Sequence, residues 1–154
     1  VIDTASAALQ RGAPILCDCE MVAAGITRRF LPADNQVMVT LNDAFVPALA
    51  KTLSTTRSAA AVTLWEPYLD GAIIAIGNAP TALFAVLELI ERTRIQPAAI
   101  LGFPVGFVGA AESKDALCEA AACPFITLTG TRGGSALASA AVNALCRIAT
   151  GDKQ

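Results

Sequence analysis

The 154-residue sequence contains no histidine. That absence removes the Ser-His-Asp and Cys-His arrangements, and with them any imidazole acid or base near neutral pH, so hydrolase chemistry of those kinds has no support here. Charge is scarce as well: 16% of the residues are Asp, Glu, Lys or Arg, where an average soluble domain has about 25%. Eleven Lys plus Arg stand against 13 Asp plus Glu, a formal charge of −2, and no helix-length stretch gathers the basic residues together. A phosphate backbone therefore finds no footing, and no nucleic-acid partner is expected.

Long apolar runs are missing too. Gly71 to Leu87 is split by Gly77-Asn78-Ala79-Pro80, and Pro97 to Ala111 is shorter than the ~20 residues a membrane span needs. No membrane partner is expected. The N-terminus has no basic region followed by an apolar core, which leaves secretion unsupported and makes the cytoplasm the expected location. Cysteine is limited to five, an odd number. All but Cys19 lie in or beside apolar segments, and they read as reduced, mostly buried residues of a cytosolic protein. Cys17-Asp18-Cys19 has neither a second pair nor a histidine to complete a tetrahedral site, so no metal is expected.

What is present is apolar: 55% of the residues. A chain of this length is about one domain, able to bury roughly 70% of its unfolded surface, and so apolar a composition suggests that another subunit covers part of it. Short apolar runs ending in Gly, Asp or Asn alternate with stretches of helical periodicity, the pattern of stacked βα units. The expected strands are Pro14 to Cys17, Gln36 to Val39, Ala72 to Ile76, Ala98 to Leu101 and Phe125 to Thr129, apolar throughout as parallel strands covered on both faces should be. The expected helices are Thr4 to Arg11, stopped by Gly12, Arg57 to Trp65, closed by Pro67, Thr81 to Arg92, Ser113 to Ala122 and Gly134 to Ile148. In the third of these, Leu83, Val86, Leu87 and Ile90 share one face. The fold class is α/β: a three-layer α/β/α sandwich with about five parallel strands in the order 2-1-3-4-5, a flavodoxin-like arrangement whose ligands bind beyond the carboxyl ends of the strands.

The segments after the strands therefore carry the chemistry. They are Cys17-Asp18-Cys19-Glu20, Gly77-Asn78-Ala79-Pro80-Thr81, Gly102 to Lys114 and Gly130-Thr131-Arg132-Gly133-Gly134-Ser135. The longest, "ILGFPVGFVGAAESK", offers Phe103, Val105, Phe107 and Val108 between glycines and must cover a core or face an apolar ligand, since free Phe and Val cost solubility. Lys114 at its end reads either as a counter-ion for an acidic group on that ligand or as a solvated lysine beside a lid. Gly133-Gly134-Ser135 opening a helix reads as an anion site or as close packing only; it lacks the Gly-x-Gly-x-x-Gly spacing of a dinucleotide fold. Thr55-Thr56-Arg57-Ser58 is a capped helix start whose arginine either meets a ligand or is solvated. Asp18 and Glu20 are the candidate carboxylates, on one side of the chain only if it is extended there.

Five phrases in order, "GAPILCDCEMVAAGITR", "TRSAAAV", "AIGNAPTALF", "ILGFPVGFVGAAESK" and "GGSA", resemble the precorrin-8X methylmutase family of cobalamin biosynthesis from about Ala7 to the last helix. The resemblance implies a flavodoxin-like fold, a homodimer and the isomerisation of precorrin-8X to hydrogenobyrinic acid, a methyl group moving from C-11 to C-12 of the corrin ring, or the same step on cobalt-precorrin-8. It implies no redox cofactor and no metal. The substrate, an apolar disc fringed with acetate and propionate carboxylates, would be held by Arg57 and Lys114, which match family positions expected to meet those acids, with Ser113, Asn78, Thr81, Gly106, Arg132 and Ser135 completing the substrate-binding set. The family's proton donor is a histidine upstream of the first strand, so no catalytic residue is assigned in this histidine-free chain; a single domain spanning 1-154 and lacking an N-terminal segment is the expectation. Where the family has arginine directly after the glycine, this chain has Thr131-Arg132. The other classes left open are a tetrapyrrole-binding relative without turnover and a flavodoxin-like anion or nucleotide-binding domain using Gly130 to Ser135.

Overall fold

Three-residue and four-residue apolar runs make up the sheet: β1 (Ile15–Cys17), β2 (Val37–Val39), β3 (Ile73–Ile76), β4 (Ala99–Gly102) and β5 (Phe125–Thr127). The computed structural model describes residues 1–152, and in it the five strands pair in parallel in the order β2-β1-β3-β4-β5. Leu16 lies opposite Met38 on one side and Ile74 on the other; Ile100 pairs with Ile74 and Phe125. The expected order is the observed one. β1, β3 and β4 are buried throughout, whereas β2 and β5, at the edges of the sheet, are half-buried.

Alternation along the strands sorts their side chains into two cores. Ile15, Cys17, Ile73, Ala75, Ala99 and Leu101 meet α1 (Ile2–Gln10), α2 (Glu20–Gly25) and α7 (Ser135–Thr150). Leu16, Ile74, Ile76 and Ile100 meet α4 (Arg57–Thr63), α5 (Pro80–Thr93) and α6 (Ala110–Ala120), where Trp65 and Leu69 are also sealed. A small third cluster joins α3 (Val46–Thr52) to α4 through Val46, Ala50, Ala60 and Ala61. The result is the expected α/β/α sandwich.

The helix boundaries follow local chemistry. α1 stops at Gly12, whose φ of +88° favours glycine. Pro80 occupies the first turn of α5, where its missing N–H costs nothing. The Thr56 side chain accepts from the Ala59 N–H and so caps α4. α2 and α3, of six and seven residues, escape a periodicity argument because they are too short to repeat a face. Leu83, Val86 and Ile90 are buried in one cluster with Leu89, and Leu87 packs half-buried against it. Cys17, Cys123 and Cys146 are buried, Cys118 is exposed, and all five thiols are free. Burial pushes the Cys123 and Cys146 thiols up to about 11, and Cys17 is raised further by burial beside Asp18.

Candidate functional site

All the expected loops reach one edge of the sheet, beyond the strands' carboxyl ends. Their floor is built around Asp18, which directly follows β1 and is 4% exposed. Its carboxylate accepts the N–H of Gly77 at 2.9 Å and those of Asn78 and Ala79 at 2.9 and 2.8 Å. Those three donors precede the start of α5, where the helix dipole also favours a negative charge. Asp18 is therefore a loop anchor, and the acid that was a candidate for chemistry has its oxygens occupied by backbone. Glu20, on α2, is exposed instead.

The other loops are stitched to this floor. Phe103 N–H donates to Ile76 O at 2.8 Å and Val105 N–H to Asn78 O at 3.4 Å. Gly109 lies against Pro80, a Cβ there falling 3.3 Å from the proline Cβ. Gly134 N–H donates to Phe103 O at 2.8 Å, and a Cβ on Gly133 would fall 2.4 Å from the carbonyl oxygens of both Phe103 and Pro104. Gly133 is thus required for packing: the segment after β5 lies flush on the backbone after β4. This spends part of the N–H cradle that an anion at Gly133-Gly134-Ser135 would use. Ser135 itself opens α7, its Oγ 3.5 Å from Cys19 Sγ. Across the edge, Thr56 Oγ1 donates to Thr81 Oγ1 at 3.0 Å. That contact sets the start of α4, with Arg57, beside the start of α5.

Arg57, Asn78, Thr81 and Arg132 are exposed at this edge, and Gly106 and Ser135 are half-buried on it. Lys114 and Ser113 are not available there. Ser113 is fully buried and its Oγ donates to Ala110 O at 2.9 Å. Lys114 is 0% exposed, and its ammonium donates to Gly130 O at 2.8 Å and to Arg132 O. The expected counter-ion is corrected accordingly. α6 begins at Ala110, three residues before the expected start, so Ala110, Ser113, Lys114 and Leu117 share its inner face at i, i+3, i+4 and i+7. Burial holds the Lys114 ammonium below the ordinary lysine range. Among the described residues the ion pairs are Arg92–Glu66 and Arg147–Asp152, so no carboxylate neutralises it.

The long loop after β4 tucks Phe103 and Pro104 inward, Phe103 joining the core beneath α7, and then turns its remaining apolar residues out. Phe107 is 96% exposed and Val108 89%. Phe107, with Val105, Leu128 and Leu137, flanks an open groove of about 560 Å³ that Gly106, Thr131 and Arg132 also line. Leu128 and Leu137 went unforeseen, because nothing in "FITLTG" or "GGSALAS" separates an outward leucine from a core one. The edge is an apolar shelf with guanidinium groups and hydroxyls around it, suited to a broad apolar ligand bearing acids. Among the described residues no three Cys, Asp or Glu side chains gather as a metal site, and no helix is long and apolar enough to cross a membrane.

Known proteins resemble the chain in sequence and in fold. A family model described as precorrin-8X methylmutase matches residues 1–148. A precorrin-8X methylmutase from a Sinorhizobium species is 58% identical over 147 residues, covering 95% of this chain and 70% of that protein; one from Pseudomonas aeruginosa is 58% identical over 140 residues, covering 90% and 67%. A cobalt-precorrin-8 methylmutase from Priestia megaterium is 39% identical over 143 residues, covering 92% of this chain and 63% of its own length. The crystal structure of a precorrin-8X methyl mutase from Thermus thermophilus superposes with a TM-score of 0.86 at 40% identity, over 98% of this chain and 74% of that one.

Proposed function

Since the chain belongs to the precorrin-8X methylmutase family, we propose that it isomerises precorrin-8X to hydrogenobyrinic acid at the groove described above. The reaction is internal to the substrate: the methyl group leaves C-11 and bonds to C-12, and no second reactant is consumed. The protein's task is to hold the disc, keep water from the migrating group and favour the rearranged tautomer by donating a proton or hydrogen bond to a ring nitrogen. The 154 residues contain no histidine, so no imidazole among them makes that donation.

The observation that carries this reading is the uncovered Phe107 in one groove with Arg132, in a chain matched over residues 1–148 by this family. The ring lies on the shelf; Arg57 and Arg132 meet its carboxylates, and Thr81, Asn78 and Ser135 supply hydrogen bonds. Identity of 58% to relatives named for precorrin-8X, against 39% to one named for cobalt-precorrin-8, favours the metal-free substrate. A second copy of the chain is the partner we propose for the remaining exposed apolar residues of this edge, and five free thiols suit a reducing cytoplasm.

The test is incubation of the purified protein with precorrin-8X, followed by visible absorption. Conversion to the hydrogenobyrinic acid spectrum supports the proposal. Binding of hydrogenobyrinic acid without conversion reduces the protein to a tetrapyrrole-binding relative, and neither binding nor conversion rejects the corrinoid reading.

A further inference from the structure

Lys114 is the least expected feature of the edge. Its ammonium is fully buried and has no carboxylate beside it among the described residues, and its partners, Gly130 O and Arg132 O, flank a single residue, Thr131. Two carbonyls two residues apart can face one nitrogen only if the chain folds back around it. Gly130, at φ +82°, permits that fold. With the carbonyls turned inward, Thr131 and Arg132 stand exposed and line the groove. The opposite side of the same segment is pressed on the Phe103-Pro104 backbone by Gly133 and by the Gly134 N–H. The loops after β4 and β5 therefore form one plate, clasped by an α6 side chain.

An uncompensated ammonium in this position is an expensive way to fill space, since a thioether of similar length packs without losing hydration. What the ammonium alone supplies is the direction of two carbonyls. We propose that Lys114 is a positioning residue that sets Arg132 on the lip of the groove, and that Arg132, not Lys114, meets an acidic arm of the ligand. The second half rests on the corrinoid reading; the first does not.

Two measurements on the whole chain separate these halves: amide hydrogen exchange of the unliganded protein, and titration with hydrogenobyrinic acid at low and high salt. K114M is expected to speed exchange through residues 128–135 by about tenfold or more, with α5 unchanged. It should weaken binding by about tenfold while keeping the wild-type salt dependence, because Arg132 retains its charge. R132A should leave exchange as in wild type, weaken binding and flatten the salt dependence. Unchanged exchange in K114M overturns the positioning role. Wild-type affinity and salt dependence in R132A overturn the Arg132 contact. Should K114M not fold, K114Q, whose amide still donates to one carbonyl, takes its place with the same outcomes. Failure of the wild-type protein to bind hydrogenobyrinic acid rejects the corrinoid reading and the Arg132 contact with it, and the exchange result still decides what Lys114 does.

Discussion

Asp18 and Lys114 do similar work with opposite charge. Asp18 gathers three N–H groups of the segment after β3; Lys114 gathers two carbonyls of the segment after β5. Their settings differ. The carboxylate lies where α5 begins and the helix dipole supports it, whereas the ammonium lies on two loop carbonyls with no opposite charge beside it, and burial lowers its pKa. The first charge strengthens the fold. The second spends stability on the shape of a loop, which is why its purpose is sought in the groove that the loop borders.

The comparison is broken most severely at Asp18. Asp18→Ala strands three backbone donors, and we expect a loss of about 3–5 kcal/mol in urea unfolding; a loss under about 1 kcal/mol would mean that water replaces the carboxylate at no cost. Arg57→Ala removes an exposed side chain and should leave stability within about 0.5 kcal/mol while weakening hydrogenobyrinic acid by about 1.5–3 kcal/mol. Equal affinity in that titration would return Arg57 to the solvated reading. Gly133→Ala drives a Cβ into two carbonyl oxygens and should cost about 1–3 kcal/mol, with the same local rise in exchange over residues 128–135 as K114M. Exchange that rises elsewhere instead would show that the two loops are not one plate.

The mildest effect is on pH dependence. Cys123 and Cys146, pushed up to about 11, and Cys17, also raised, bind protons more tightly in the folded state than the ordinary thiol value of 9.0. The contribution of each is complete below pH 9; that of Cys123 and Cys146 is lost as pH climbs through about 11, and that of Cys17 goes on falling above it. Lys114 acts in the reverse sense. Its folded pKa is depressed from 10.5, so stability rises as pH passes from the folded value toward the unfolded one. The three thiols should prevail, with Tm falling between pH 9 and 11, and the fall should steepen in K114M. A Tm that holds level over that interval would contradict the assignment.

Much of this was legible in the residues. The five strands end at Cys17, Val39, Ile76, Gly102 and Thr127, within two residues of expectation, because parallel strands are nearly pure apolar text and Asp18, Thr40 and Gly77 interrupt it after the first three. Thr56 marked its helix start, and so put Arg57 at the edge. Lys114 could not be read in the same way: its direction depends on the phase of α6, which is set by Gly109 at φ +84° rather than by the first charged residues of the segment. A start at Ser113 would have left the lysine in a free first turn, and three residues of difference turned it inward. The loop anchor at Asp18 was hidden for another reason, since a carboxylate bound to backbone N–H groups has the same letters around it as one kept for chemistry.

The central claim is that the exposed shelf at the strands' carboxyl edge receives an acid-fringed macrocycle. Titration of hydrogenobyrinic acid into wild-type protein and into Phe107→Ser, followed by visible absorption, tests it most directly. We predict micromolar binding by the wild type and a loss of about 1.5–3 kcal/mol in the variant, at unchanged urea stability, because Phe107 is buried only by the ligand. Equal affinity in the two proteins, or none in the wild type, would contradict it.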